Sequence, residues 1–253
     1  MKNQFILTPF FLDEPINLES ISLPDWQINR PALTEQTQQG RMSQIHQSLA
    51  TAVSDALQSG QRPVSIAGDC CTTIGVLAGL QQTGIAPTLI WFDAHGDFNT
   101  WETTPSGFLG GMPLAMLVGR GEQTMMTAAK TSPLPENKVI LTDARDLDPG
   151  EEELVKESAV LHFPNVNQFL TTALPQGPLY IHFDVDILNP IDAPAVNYQA
   201  PGGPLVDTLR QAFTALSNTK RIAAISVSSW NPEMDEDGRS QTITMDLLAA
   251  LYQ

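Results

Sequence analysis

Cysteine is nearly absent from this 253-residue chain. The two present, Cys70 and Cys71, are adjacent in the stretch SIAGDCCTTIGV. Two cysteines cannot build a disulfide framework, and neighbouring ones strain the geometry that a disulfide prefers, so a covalent staple is excluded. Cations are scarce as well: Lys and Arg total 13 against 28 for Asp and Glu, a formal charge of −15. Such a chain has no electrostatic grip on phosphates, which excludes nucleic acid as a partner. Long apolar runs are also missing. The N-terminal MKNQFILTPFFLDEP meets an acidic break too early for a membrane span or a signal peptide, so a cytoplasmic chain without a membrane partner is expected.

What is present suits one substantial core. With 42% hydrophobic and 16% charged residues, a single domain over residues 1–253 is expected. Apolar, β-branched runs at 4–10, 63–68, 87–95, 138–146, 159–163, 178–186 and 221–230 read as strands. Helical spacing recurs between them. It is clearest over Thr34–Leu57, where Met42, Ile45, Leu49 and Val53 repeat, and from Pro204 to Leu216. Apolar strands alternating with helices predict an α/β fold with a parallel sheet covered on both sides, and in such sheets ligands bind beyond the carboxyl ends of the strands.

Those ends are acidic. TLIWFDAHGD carries Asp93, His95 and Asp97, LYIHFDVD carries Asp184 and Asp186, and VSIAGDCC carries Asp69 and the two cysteines. At strand spacing, alternate residues project to one side. Converging carboxylates repel one another, and a divalent cation relieves that cost while matching oxygen and nitrogen donors. The alternatives are that the acids cap helices or end loops, and that Cys70 is a small buried apolar residue.

DAHGD followed by FNT, and HFDVD followed by ILNP, resemble the ureohydrolases, the family of arginases, agmatinases and formiminoglutamases. AGDCC is similar to that family's Gly-Gly-Asp-His-Ser turn, ARDLDPGE to its Arg-Asp-x-Asp-Pro-Gly-Glu segment, and SWNP to its Glu-x-Asn-Pro segment. The resemblance implies a three-layer α/β/α fold around a mostly parallel sheet of about eight strands. Seven are legible, and the eighth is expected near ESISLPDWQINRP. It also implies a trimer or hexamer, and two divalent metal ions bridged by a hydroxide. By position, Asp93 and Asp184 match the carboxylates bridging the ions, His95 and Asp186 match ligands of one ion, and Cys70 and Asp97 match ligands of the other. Asp97 is also the catalytic residue that holds the hydroxide. Manganese is the family's metal, and a thiolate at Cys70 brings in zinc or iron as alternatives. Cys71, at the family's serine, is expected to be structural.

On the substrate side, Asn99, Ser106 and Asp148, with Glu151 behind it, match positions that contact an amino-acid head. Phe108 and Gly110 stand instead where arginases carry an asparagine and a histidine proton shuttle, and Ser229 stands where a guanidinium-binding glutamate is expected. Together with the cysteine, these departures resemble a divergent branch that includes a hydroxyarginine hydrolase of cycloserine biosynthesis. Two functions are implied. One is a metal-dependent hydrolase of a C–N bond in a guanidino, hydroxyguanidino or formimino compound. The other is a catalytically degenerate relative that keeps metal or ligand binding. WETTPSGFLGG reads as an active-site loop with Trp101 and Glu102 near substrate, or as a plain surface loop. APGGP reads as a turn, EMDEDGR as a solvated turn, and His182 as a core histidine on the strand face opposite Asp184.

Overall fold

The structure is a computed structural model, and it describes residues 1–21 and 25–252. The N-terminal strand β1 (Asn3–Thr8) stops at Pro9, which has no N–H to donate to a ladder. The expected strand over 4–10 is therefore cut short, and the chain turns into a small hairpin, β2 (Phe10–Phe11) and β3 (Glu14–Pro15). Next comes β4 (Trp26–Ile28). It is the eighth strand sought in ESISLPDWQINRP, of which Ser22, Leu23 and Pro24 lie outside the described residues. Helix α1 (Gln38–Gln58) begins later than the periodicity predicts, because Thr37 caps it by accepting from Gly40 N at 3.1 Å.

The chain continues through β5 (Arg62–Ala67), α2 (Thr73–Gln82), β6 (Thr88–His95), α3 (Pro113–Leu117), α4 (Thr124–Ala128), β7 (Val139–Asp146), α5 (Pro149–Glu157) and β8 (Leu161–Phe163). It ends with β9 (Leu179–Asp184), α6 (Val206–Asn218), β10 (Ile222–Ser228) and α7 (Arg239–Ala250). Eight strands form one sheet in the order β4-β1-β5-β10-β9-β6-β7-β8, and every pairing in it is parallel.

Alternation along the strands feeds two cores. Ile90, Phe92, Ile181 and Phe183 pack on one face against Leu209 and Phe213 of α6 and Leu247 of α7. Leu89, Trp91 and Tyr180 pack on the other against Leu49 of α1 and Ile74 and Leu77 of α2. Helices therefore flank both faces, as a parallel sheet requires.

Register decides what stands level across the sheet. Trp91 is level with His182 and His182 with Ser226, while Asp184 is level with Ser228. These are two successive rows on the same face, with the acidic row at the carboxyl end.

Candidate metal centre

The acidic row lies where the three most buried strands stop. Asp93 is 1% exposed, and its two oxygens face different ways. Trp91 Nε1 donates to Oδ2 at 3.0 Å and His95 N donates to Oδ1 at 2.7 Å. Asp184 Oδ2 accepts from Cys70 Sγ at 2.6 Å, from Ser228 Oγ at 2.9 Å and from Ser229 Oγ, while its Oδ1 accepts from Asp186 N at 2.9 Å. His95 Nδ1 reaches Asp186 Oδ2 at 3.1 Å and Asp93 Oδ1 at 3.5 Å. Two ligand groups result, each with its donor atoms within 4.8 Å of one another: Cys70, Asp93, His182 and Asp184; and Asp93, His95 and Asp186. Asp93 belongs to both.

The turn carrying Cys70 is held by Asp69, which accepts from Cys71 N at 2.8 Å and from Leu12 N at 2.7 Å. Gly68 precedes it because a Cβ there would stand 2.4 Å from Phe10 O. This turn sends the two cysteines apart. Cys70 lines the cavity, whereas Cys71 is fully buried in the core under α3, with Sγ 3.8 Å from Leu109 O.

Beyond β6 the chain must reverse sharply, and Asp97 takes a left-handed φ of 50°. Buried Glu151 fixes this bend by accepting from Phe98 N at 2.7 Å and from Asp148 N at 3.2 Å, the second as half of the capping box that starts α5. Gly96 lets that carboxylate approach, since a Cβ would lie 2.6 Å from Glu151 Oε1. Asn99 Nδ2 donates to Asp148 Oδ2 at 2.9 Å. At the end of β7, Arg145 pairs with Asp143 and donates to the carbonyls of Asp186, Ile187, Ala200 and Pro201. It ties the loop after β9 in place and points away from the cavity.

The eleven residues expected from the sequence, Cys70, Asp93, His95, Asp97, Asn99, Ser106, Asp148, Glu151, Asp184, Asp186 and Ser229, all line a single cavity of about 190 Å³. Eight carboxylic acids face it, and no lysine or arginine does among the described residues. Burial, and then the charge of Asp93, pushes Asp97 well above the usual carboxylate range. Burial raises Asp184 to about 6 and Glu151 to about 7. Cys70 is pushed up by burial and then by Asp184, Asp97 and Asp93. Asp97 Oδ2 is buried with no hydrogen-bond partner. An orphaned carboxylate oxygen among crowded acids, with imidazole and thiol beside them, fits divalent cations by both charge and donor type.

The Arginase family model matches residues 16–252 of the chain. The arginase of Bacillus caldovelox is 30% identical over 224 residues, covering 83% of this chain and 75% of that protein, and the arginase of Bacillus subtilis (strain 168) is 30% identical over 245 residues, covering 90% and 82%. This chain belongs to the arginase family. Its fold follows the family closely: the crystal structure of arginase from Bacillus cereus superposes with a TM-score of 0.86 at 25% identity, covering 100% of this chain and 98% of that one.

Within that arginase-family frame, one open alternative is decided and one expectation needs correcting. Trp101 and Glu102 do not line the cavity. Instead, Trp101 donates to Glu122 Oε2 at 3.2 Å, and Glu102 accepts from Thr100 Oγ1 at 2.7 Å on the surface. His182 is buried as expected, and burial lowers its pKa to about 3, but it shares the face of Asp184 rather than opposing it. Residues two apart on a strand point the same way, and that alternation was the available signal. At the rim, Phe11 and Tyr198 escaped the sequence reading. Phe108 lies between them, with ring centroids 6.2 Å from Phe11 and 5.2 Å from Tyr198, and nothing local in the sequence pairs three aromatic residues from separate segments.

Proposed function

We propose that this arginase-family protein is a metal-dependent hydrolase that cuts a C–N bond in a small guanidino, N-hydroxyguanidino or formimino compound. The observation that carries this reading is the pair of ligand groups sharing Asp93 at the floor of a cavity with no lysine or arginine among the described residues. Cys70, Asp93 and Asp184 would hold one ion, and Asp93, His95 and Asp186 the other, with Asp97 beside them. When bound, the two ions supply the acidity that makes water a nucleophile near neutral pH.

The chain's own residues do the rest. Asp97, whose Oδ2 is buried without a hydrogen-bond partner beside the ligand groups, takes the proton of the attacking water and returns it to the departing nitrogen, so that the C–N bond breaks without a net change in charge. Asn99, Ser106 and Asp148 hold the polar head of the substrate. Both Glu151 oxygens are spent on backbone N–H groups, so Glu151 positions Asp97 rather than touching substrate.

Ser229 supports the less basic substrates. Its hydroxyl donates to Asp184, and it brings no second negative charge to a guanidinium. Position 110 supports the same reading. A Cβ on Gly110 would lie 2.4 Å from the Phe108 ring, so the aromatic side chain fills the place of a side chain there.

The test is release of urea, hydroxyurea, formamide or ammonia by metal-loaded protein from arginine, agmatine, hydroxyarginine and a formimino amino acid. Turnover is expected for the N-hydroxy or formimino compound ahead of arginine. No release from any compound by protein holding both ions would establish the degenerate, binding-only alternative.

A further inference from the structure

His182 stands one row beneath the acidic row. Successive same-face residues on a strand are about 6.6 Å apart, so an imidazole at 182 can span the gap toward the carboxylate at 184. The ring lies against Trp91, with centroids 4.0 Å apart, and cannot swing away. Its Nδ1 is 2.8 Å from Ser226 Oγ, which in turn is 2.8 Å from Tyr180 OH. That leaves Nε2 facing upward, 3.4 Å from Ser228 Oγ, the same hydroxyl that contacts Cys70 Sγ at 3.2 Å and Asp184 Oδ2 at 2.9 Å. Imidazoles that bind metal hold their second nitrogen on an oxygen partner, which fixes the ring's orientation. Ser226 and Tyr180 form that anchor here.

The donor atoms of His182, Cys70, Asp93 and Asp184 lie within 4.8 Å of one another, and Asp97 belongs to neither ligand group. The family-like position of an imidazole is taken by Cys70, and a different imidazole enters from below. We infer that His182 Nε2 joins Cys70, Asp93 and Asp184 as a ligand of the ion they would hold, and that sulfur with imidazole selects zinc over manganese in this half of the centre. Thiolate with imidazole is the donor pair that zinc favours, whereas manganese prefers carboxylate and water. This rests on the metal-dependent reading above and adds an imidazole to its ligand set.

X-ray absorption on native protein loaded with zinc counts the ligands directly. Two imidazoles per two ions, His95 and His182, with sulfur at one ion, are expected. The other two histidines lie elsewhere, His46 in α1 and His162 against Asp143 O. One imidazole per two ions would overturn the inference.

In titrations with Zn²⁺, and with Co²⁺ as a visible probe of thiolate ligation, H182Q should weaken the ion bound to Cys70 by more than about 100-fold, beyond the 10- to 100-fold typical of losing an outer-sphere partner. C71S, in the core, should leave that ion and its thiolate band in place. Loss of the band in C71S, or its retention at native affinity in H182Q, would refute the assignment. If H182Q does not fold, as judged by circular dichroism, the ligand count on native protein decides alone. Native protein that binds no ion at all defeats the metal-dependent reading itself, a different result from an ion bound without His182.

Discussion

At the floor of the cavity, Asp93, His95, Asp184 and Asp186 leave the ends of β6 and β9, whose hydrogen-bonded ladders fix them on both sides. At the rim, Ser106, Phe108 and Tyr198 sit on loops, and Tyr198 is 50% exposed. Floor oxygens are bound by backbone N–H groups, by buried Trp91 and by the Cys70, Ser228 and Ser229 side chains, whereas the rim holds itself by ring contacts and local bonds such as Ser106 Oγ accepting from Phe108 N at 3.2 Å. A strand end cannot move without breaking the sheet, while a loop can be rebuilt at little cost. The floor should therefore set the chemistry and the rim the substrate.

The sharpest way to break this division is at the floor. Asp93→Asn should abolish metal binding and turnover together, and Asp184→Asn should remove the ion beside Cys70 and turnover with it, measured by metal analysis and product release on the same preparations, because Asp93 belongs to both ligand groups and Asp184 to one. Unchanged metal content in both variants would mean that the floor is not the centre.

A smaller effect separates the two cysteines. Cys70→His should raise manganese occupancy, since imidazole suits that ion better than thiolate does, while Cys71→Ser, in the core, should leave occupancy near native and lower stability only modestly. The reverse pattern would place the wrong thiol at the cavity.

The rim predictions are weaker by design. Ser229→Glu should improve arginine or agmatine binding by about tenfold, the upper range of a charge-assisted contact reduced by the left-handed φ of 70° that glutamate must adopt there. Preferential arginine binding by the native protein would contradict it. Phe108→Ala, read as a ratio of kcat/KM between substrates, should change preference several-fold while metal content stays constant.

The smallest expected effect is on stability. Asp69 and Asp184, raised to about 6, and Glu151, raised to about 7, are protonated in the fold where the unfolded chain, with values of 3.8 and 4.5, is charged. Groups raised in this way stabilise the fold most below their unfolded values, and that contribution is lost as pH climbs through the folded ones. The Tm of metal-stripped protein should thus fall between roughly pH 4 and 7, and added zinc should flatten the part of the slope that Asp184, a member of a ligand group, contributes. A Tm that instead rises with pH over this range would show that burial does not dominate these groups.

The split between floor and rim also explains what could be read from the chain. Strands and their acidic ends were legible because a period of two and a run of apolar residues are local facts: the spacing of Asp93 and His95 already places them together, whereas Asp97 comes after the strand ends, at a left-handed bend. The short edge strand Trp26–Ile28 could only be located approximately, since three residues carry too little pattern to mark an element. Phe11, Phe108 and Tyr198 meet only through the fold. His182 was visible all along, two residues before Asp184, but its burial among apolar neighbours masked the face it occupies. Glu151 was placed behind Asp148 by resemblance alone, and the structure shows why it stands there: its carboxylate holds the backbone bend at Asp97.

A cleft that presents eight acids and, among the described residues, neither lysine nor arginine, in a chain of net charge −15, acts as an electrostatic lens. Low-dielectric walls focus field lines of one sign through the opening, drawing cations in faster than diffusion alone would and turning anions away. The focusing reaches about 8 Å beyond the surface at physiological ionic strength and shrinks as salt is added. Arrival of a dipositive compound should therefore slow more steeply with added potassium chloride than arrival of a zwitterion of the same shape, so the rank order of substrates is a property of the buffer as well as of the pocket.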